Sequence, residues 1–210
     1  MERIGLSPSI QLPRLFRQTC RRLGVRPTRY LLLVDIPAQR MFLAHVSGKS
    51  PTSECAVHKT LRISTSRFGI GQKKNSNRTP LGVHRIARKV GGGWPVGAVF
   101  KSRELVGFAW QGWKEAAITH RILWLEGLQP GFNRGGNVDT FERYIYIHGT
   151  GDEPTIGRPA SHGCIHVSGA DLLPLYDRLP TGTLVWISPE RLNVNRSPLR
   201  EVCAENAIQL

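Results

Sequence analysis

Residues 30 to 44 read Tyr30-Leu-Leu-Leu-Val-Asp35, then Pro37, then Met41-Phe-Leu-Ala44, which is two apolar runs of strand length joined by a turn. This pattern constrains the fold most, because the other apolar runs are equally short and are divided by turn residues. Stretches 61–64, 83–87, 122–125, 143–147 and 183–187 read as further strands, the fourth of them rich in aromatic and β-branched residues. Thr79-Pro80-Leu81-Gly82 is a turn signal, and 127–140, with four glycines and a proline, reads as a long loop of the kind that often carries function. Helical spacing is clear only at Leu172, Leu175, Tyr176 and Leu179. Asp171 as its N-cap keeps Pro174 in the first turn, whereas a capping box from Ser168 to Asp171 sets the proline deeper, so the later start is expected. Leu12, Leu15, Phe16 and Cys20 can line one face of a second, shorter helix. The chain is therefore expected to be mainly β with one or two short helices.

At 210 residues, with 40% hydrophobic and 21% charged residues, the chain has the size and composition of one globular domain with tails. The expected division is a basic N-terminal extension at 1–28, a catalytic domain at 29–190 and a C-terminal tail at 191–210. Twenty-nine Lys and Arg against 15 Asp and Glu give a net charge of +14, which attracts polyanions such as nucleic acid, anionic wall polymer or an acidic membrane surface without choosing among them. Much of this charge sits in the N-terminal 29 residues, where seven arginines face only Glu2, the pattern of a solvated tail. Pro8, Gln11, Pro13 and the following arginines interrupt every apolar stretch before Tyr30, so no secretory signal is read there, and no run approaches the roughly 20 apolar residues of a membrane span. As the sequence stands this is the pattern of a cytoplasmic protein; a misassigned start or another export route would place the same domain in the periplasm or wall. Cys20, Cys55, Cys164 and Cys203 lack the close pairing of a zinc or redox motif. With Cys164 set aside for chemistry, the odd remainder reads as reduced thiols. Phosphate-binding and dinucleotide fingerprints are absent, and no cofactor is expected.

The chemistry concentrates between residues 148 and 166. A thiol attacks a carbonyl as thiolate and needs a neighbouring base. His148, at the end of an apolar strand and 16 residues before Cys164, is that base candidate, and a backbone carbonyl can fix its tautomer as a carboxylate does in serine triads. Gly163 allows the tight turn that presents amides to a tetrahedral oxyanion, and His162 stands beside it. Two other readings compete: His162, Cys164 and His166 alternate with period two and, with His148, would make a zinc site on a strand, and each residue taken singly is an ordinary core or surface side chain.

Ile147-His-Gly-Thr150 followed by Ile156-Gly-Arg-Pro-Ala-Ser-His-Gly-Cys-Ile165 resembles the signature of the L,D-transpeptidase (YkuD-like) catalytic domain. The hairpin at 30–44, Ile63-Ser-Thr65 with Thr79-Pro-Leu-Gly82, and the final strand extend the likeness over most of the chain. The resemblance implies a β-sandwich-like catalytic domain in which Cys164 is the nucleophile, His148 the base, Gly149 the carbonyl that orients it, and His162, Gly163 and Cys164 the oxyanion region. Arg158, Ser161 and His166 are implied substrate contacts, although many members carry arginine where this chain has His166. It further implies peptidoglycan stem peptides as partners, a thioester acyl-enzyme, and a part in cell-wall biogenesis and cell shape. Transfer to an amine gives a transpeptidase and transfer to water an L,D-carboxypeptidase; 122–126 with 131–135 resembles a branch of the family that lacks signal peptides and includes cytoplasmic carboxypeptidases of wall recycling. A basic nucleic-acid or wall-binding module is the reading from another class; a specific nucleic-acid partner and a transmembrane segment are not expected.

Overall fold

The computed structural model describes residues 8–46, 54–113 and 116–195. Among these the strands are β1 (Ser9–Gln11), β2 (Tyr30–Asp35), β3 (Arg40–His45), β4 (Glu54–Ser64), β5 (Gly82–Val90), β6 (Ala98–Lys101), β7 (Glu104–Phe108), β8 (Thr119–Gly127), β9 (Tyr146–Gly149), β10 (Ile165–Val167), β11 (Leu184–Ser188) and β12 (Val194–Asn195), with helices α1 (Arg14–Leu23) and α2 (Gly169–Arg178).

The strands pair in the order β10-β9-β8-β5-β11-β2-β3-β4, and β10 pairs again with β4, so eight strands close into a ring. The closing joint is His166 opposite Ser64 and Val167 opposite Ile63. Two pairings are parallel, β11 with β2 and β10 with β9. Inside the ring, alternate residues such as Leu32, Val34, Met41, Leu43, Leu123, Leu125 and Ile147 meet Leu172, Leu175 and Leu179 of α2 in one apolar cluster.

The intervening residues face outward, and they too are covered. Leu31, Leu33, Phe42, Val83 and Trp186 lie under β1 and α1 through Ile10, Leu12, Phe16 and Cys20. This explains why β2 carries leucine on both faces. The stretch expected as a solvated extension is thus, from residue 8 on, part of the fold: Phe16 is 1% exposed and its ring meets that of Trp186 at a tilt, with centroids 5.7 Å apart. The cause is a narrow apolar stripe on an otherwise basic helix, whose arginines lie around its rim. Likewise Val194 and Asn195, beyond the expected end of the domain, pair with β1. Cys20 and Cys55 are free, buried thiols of this cluster, with Cys20 pushed up to about 12 by burial; Cys203 lies outside the described residues.

Two expectations are corrected. Helix α2 starts from Ser168, whose hydroxyl accepts from the Asp171 amide, so the earlier capping box prevails and Pro174 is interior. Asp171 also pairs with Lys59 at 2.7 Å, which fixes this turn against β4. The strand expected at 143–147 begins only at Tyr146, because Tyr144 has φ 56° and breaks the extended run. Four segments unread in the sequence are strands: the β6–β7 hairpin, and the short β1, β10 and β12. Among the described residues, no helix is long and apolar enough to cross a membrane.

Candidate active site

Strand β9 carries His148 one residue before its end; the side chain is 2% exposed, and its Nδ1 lies 2.7 Å from the Gly149 carbonyl oxygen. A carbonyl only accepts, so Nδ1 carries the proton and Nε2 keeps its lone pair. Burial first, then the neighbouring His166, holds the imidazole down at about 3, so it is neutral at physiological pH. Opposite it in parallel register stands His166 of β10, with ring centroids 4.7 Å apart.

Cys164 immediately precedes β10. Its Sγ accepts from the Tyr146 amide at 3.4 Å and donates to the Tyr144 carbonyl at 3.5 Å. Burial raises the thiol to about 11, against the Tyr146 amide and the Arg143 charge, which act to lower it. Thiol and imidazole are therefore both neutral at rest. The turn that carries the cysteine is braced from inside. Gly163 has φ 122°, and a Cβ there would sit 3.3 Å from the Arg78 carbonyl oxygen, so glycine is required twice over. Ser161 is fully buried; its hydroxyl donates to the Cys164 carbonyl at 2.6 Å and accepts from the Gly163 amide at 3.2 Å. Thr79 adds a hydroxyl to the Gly163 carbonyl at 3.1 Å.

The sequence-derived set is thus partly gathered and partly dispersed. His148, Gly149, Gly163, Cys164 and His166 share one region around the β9–β10 pair. Ser161, expected among substrate contacts, is spent on the turn. His162 is exposed, with Nε2 2.7 Å from an Arg67 guanidinium nitrogen and its ring 5.6 Å from Phe68. Arg158 is exposed on the preceding turn, with no side-chain hydrogen bond or ion pair among the described residues. His166 has its Nδ1 buried without a hydrogen-bond partner and is lowered to about 4 by burial, then by His162. Among the described residues no cluster of three or more His, Cys, Asp or Glu side chains is placed to hold a metal ion, because His162 turns away to Arg67 and the period-two face does not form.

Three features were not read from the sequence. Arg143 reaches across to the carbonyls of Gly71 and Arg78 at 3.2 and 2.6 Å. Arg103, at the tip of the β6–β7 hairpin, bonds the Tyr146 hydroxyl at 3.3 Å and lies 4.7 Å over the Tyr144 ring. Asn133, also fully buried, organises the long loop by accepting from Gln129 and donating to Leu81 and Val83 carbonyls. Arginines on loops carry no sequence periodicity, so only the folded chain shows what these groups hold.

The ring of strands thus places a histidine on β9 and a cysteine just before β10, its parallel neighbour. The model of the L,D-transpeptidase catalytic domain, YkuD, matches residues 29–187, and the chain belongs to this family. Among solved structures, the Bdellovibrio bacteriovorus protein Bd1075 is similar at 14% identity and TM-score 0.50, covering 80% of this chain and 50% of that one. An L,D-transpeptidase from Mycobacterium smegmatis matches at 17% identity and TM-score 0.44 over 76% of this chain and 58% of its own. A third, from Xylanimonas cellulosilytica, matches at 18% and 0.43 over 81% and 68%. The chain thus spans 50% and 58% of the first two relatives. A comparison with curated protein sequences finds no match.

Proposed function

We propose that the chain is a cysteine-dependent L,D-transpeptidase acting on peptidoglycan stem peptides through a thioester. The observation that carries this reading is the tautomer lock of His148 on the Gly149 carbonyl, on a strand in register with the one that Cys164 opens. Nε2 takes the Cys164 proton as Sγ attacks the carbonyl of the L-centre of the diamino acid. The Gly163 amide is engaged by Ser161, so the Cys164 amide is the donor for the oxyanion. Collapse breaks the C–N bond to the terminal D-amino acid, whose nitrogen leaves with the proton from His148. An amine from a second stem then attacks the thioester, restoring the thiol and forming the cross-link. The catalytic unit is residues 29–190, with 8–28 and 191–195 packed on it.

Incubation with a purified tetrapeptide muropeptide, followed by mass spectrometry, tests this. Cross-linked dimers that are lost in Cys164→Ala and survive a chelator are expected. Release of the terminal D-amino acid alone assigns the same site to a carboxypeptidase, and no reaction of either kind overturns the catalytic reading for this substrate.

A further inference from the structure

The resting pair poses an electrostatic problem. Both partners are neutral, and the sulfur is only partly exposed, so each approach to the transition state places negative charge on Sγ in a poorly solvating site. A neighbouring positive charge would lower that cost.

We infer that Arg143 is the residue that stabilises the developing thiolate of Cys164, by holding an uncompensated guanidinium beside it; this rests on Cys164 being the nucleophile. The placement follows from local structure. Asp139 accepts from the Phe141 and Glu142 amides, closing the turn that leads into Arg143. The next residue, Tyr144, is held at φ 56°, a costly conformation for a bulky residue, and its carbonyl accepts the hydrogen bond of the resting thiol. Arg143 itself is half-buried and donates to two carbonyls, Gly71 and Arg78. The Arg78 carbonyl in turn faces Gly163, where its oxygen would lie 3.3 Å from a Cβ. The guanidinium is therefore fixed to the 66–79 loop where that loop meets the turn that carries the sulfur.

Its ligands matter as much as its position. Carbonyls fix a guanidinium without cancelling its charge, whereas a carboxylate would. The ion pairs among the described residues are Lys59–Asp171, Arg85–Glu126 and Arg134–Glu126, and Arg143 is in none of them. The other groups around the sulfur do not substitute for it. His148 on β9 is neutral, His166 on β10 is depressed, and His162 is turned to Arg67. Tyr144 and Tyr146 are phenols, and Arg103 on the hairpin is directed onto their rings and the Tyr146 hydroxyl. Asp152 acts on His166, on the far side. Arg143 is a positioning residue here, since its hydrogen bonds go to backbone and its charge acts on the sulfur across space.

The test needs no peptide substrate, so its failure is separable from that of the proposed function. The rate of Cys164 carboxamidomethylation by iodoacetamide is followed by intact-protein mass spectrometry from pH 6 to 9, with Cys164→Ala as the blank. Arg143→Gln, checked by thermal melting, is expected to shift the rate–pH curve upward by about one unit, a tenfold slower reaction at each pH. Arg143→Lys, which keeps charge and gives up the fork, is expected to stay within about threefold of the parent. A folded Arg143→Gln as fast as the parent overturns the inference. So does equal slowing by Gln and Lys, which would assign Arg143 to bracing the loop. Should Arg143→Gln fail to fold, a tenfold slower Lys variant overturns it alone.

Discussion

The ring has two covered outer faces, and they are covered differently. Over β2, β3 and β11 lie β1 and α1, a lid of apolar side chains in which Phe16 and Ile10 have almost no exposure. Over β8 and β9 lies the β6–β7 hairpin, seated through a smaller cluster of Ala98, Phe100, Ile122, Trp124 and Tyr146, with Arg103 at its tip 5.0 Å over the Trp124 ring that also stacks on Phe141 at 4.1 Å. Apolar burial seals a face, whereas an arginine over rings can be lifted at small cost. The proposed nucleophile sits at the margin of the second face, where Cys164 packs against the aromatic cluster yet keeps partial exposure.

If this division holds, substitutions on the two faces should separate activity from stability. The largest effect is expected for Cys164→Ala, which should lower turnover at least ~10³-fold while the melting temperature stays within a few degrees, as checked by muropeptide turnover and calorimetry. Phe16→Ala, on the sealed face, should cost about 3–5 kcal/mol and lower the melting point by roughly 10 °C, with turnover per folded molecule unchanged. A loss of activity there without loss of stability would break the comparison.

The pH dependence should divide in the same way. His148 and His84 are held at about 3 and His166 at about 4, below the ordinary 6.5, so the unfolded chain binds more protons between those values. Their contribution to stability is complete above pH 6.5 and is lost as pH falls toward 3. Cys20 and Cys164, raised from 9 to about 12 and about 11, contribute stability that is complete below pH 9 and is lost as pH rises toward those values. Melting curves should therefore be flattest between pH 6.5 and 9. His166→Gln should soften the acid limb, and Cys20→Ala on the sealed face should soften only the alkaline one. The smallest effect is expected for Arg103→Ala: loss of its ring contacts should cost about 0.5–1 kcal/mol, read as faster amide exchange confined to the β6–β7 hairpin and its contacts.

The same two faces differ in how far the sequence discloses them. The apolar runs of β2, β3, β8 and β11 announce strands whichever face they serve, and the His-Gly-Thr and Ser-His-Gly-Cys segments announce the site. The lid of α1 stayed hidden because three buried positions, Phe16, Thr19 and Cys20, are outnumbered by arginines in a ten-residue helix. Strand β10 stayed hidden because three residues after a glycine turn carry no periodicity of their own; only pairing on both sides makes them a strand. Ser161 could not be sorted from sequence, since a serine that braces a turn and one that binds a ligand have the same letter. Arg143 gave no signal at all, because its role depends on carbonyls about 70 residues distant along the chain.

The joint between β4 and β10 gives the proposed nucleophile an unusual dependence on the whole chain. Residues 63 and 64 meet 167 and 166, across about 100 residues of intervening sequence, and the thiol stands two positions before that meeting. Contacts so distant are entropically the most demanding to form. A chain whose ring has not shut accordingly has no strand to set its cysteine against its histidine. Reactivity is thus withheld until the architecture is finished, and a nascent or damaged copy carries an unpoised thiol instead of a stray nucleophile.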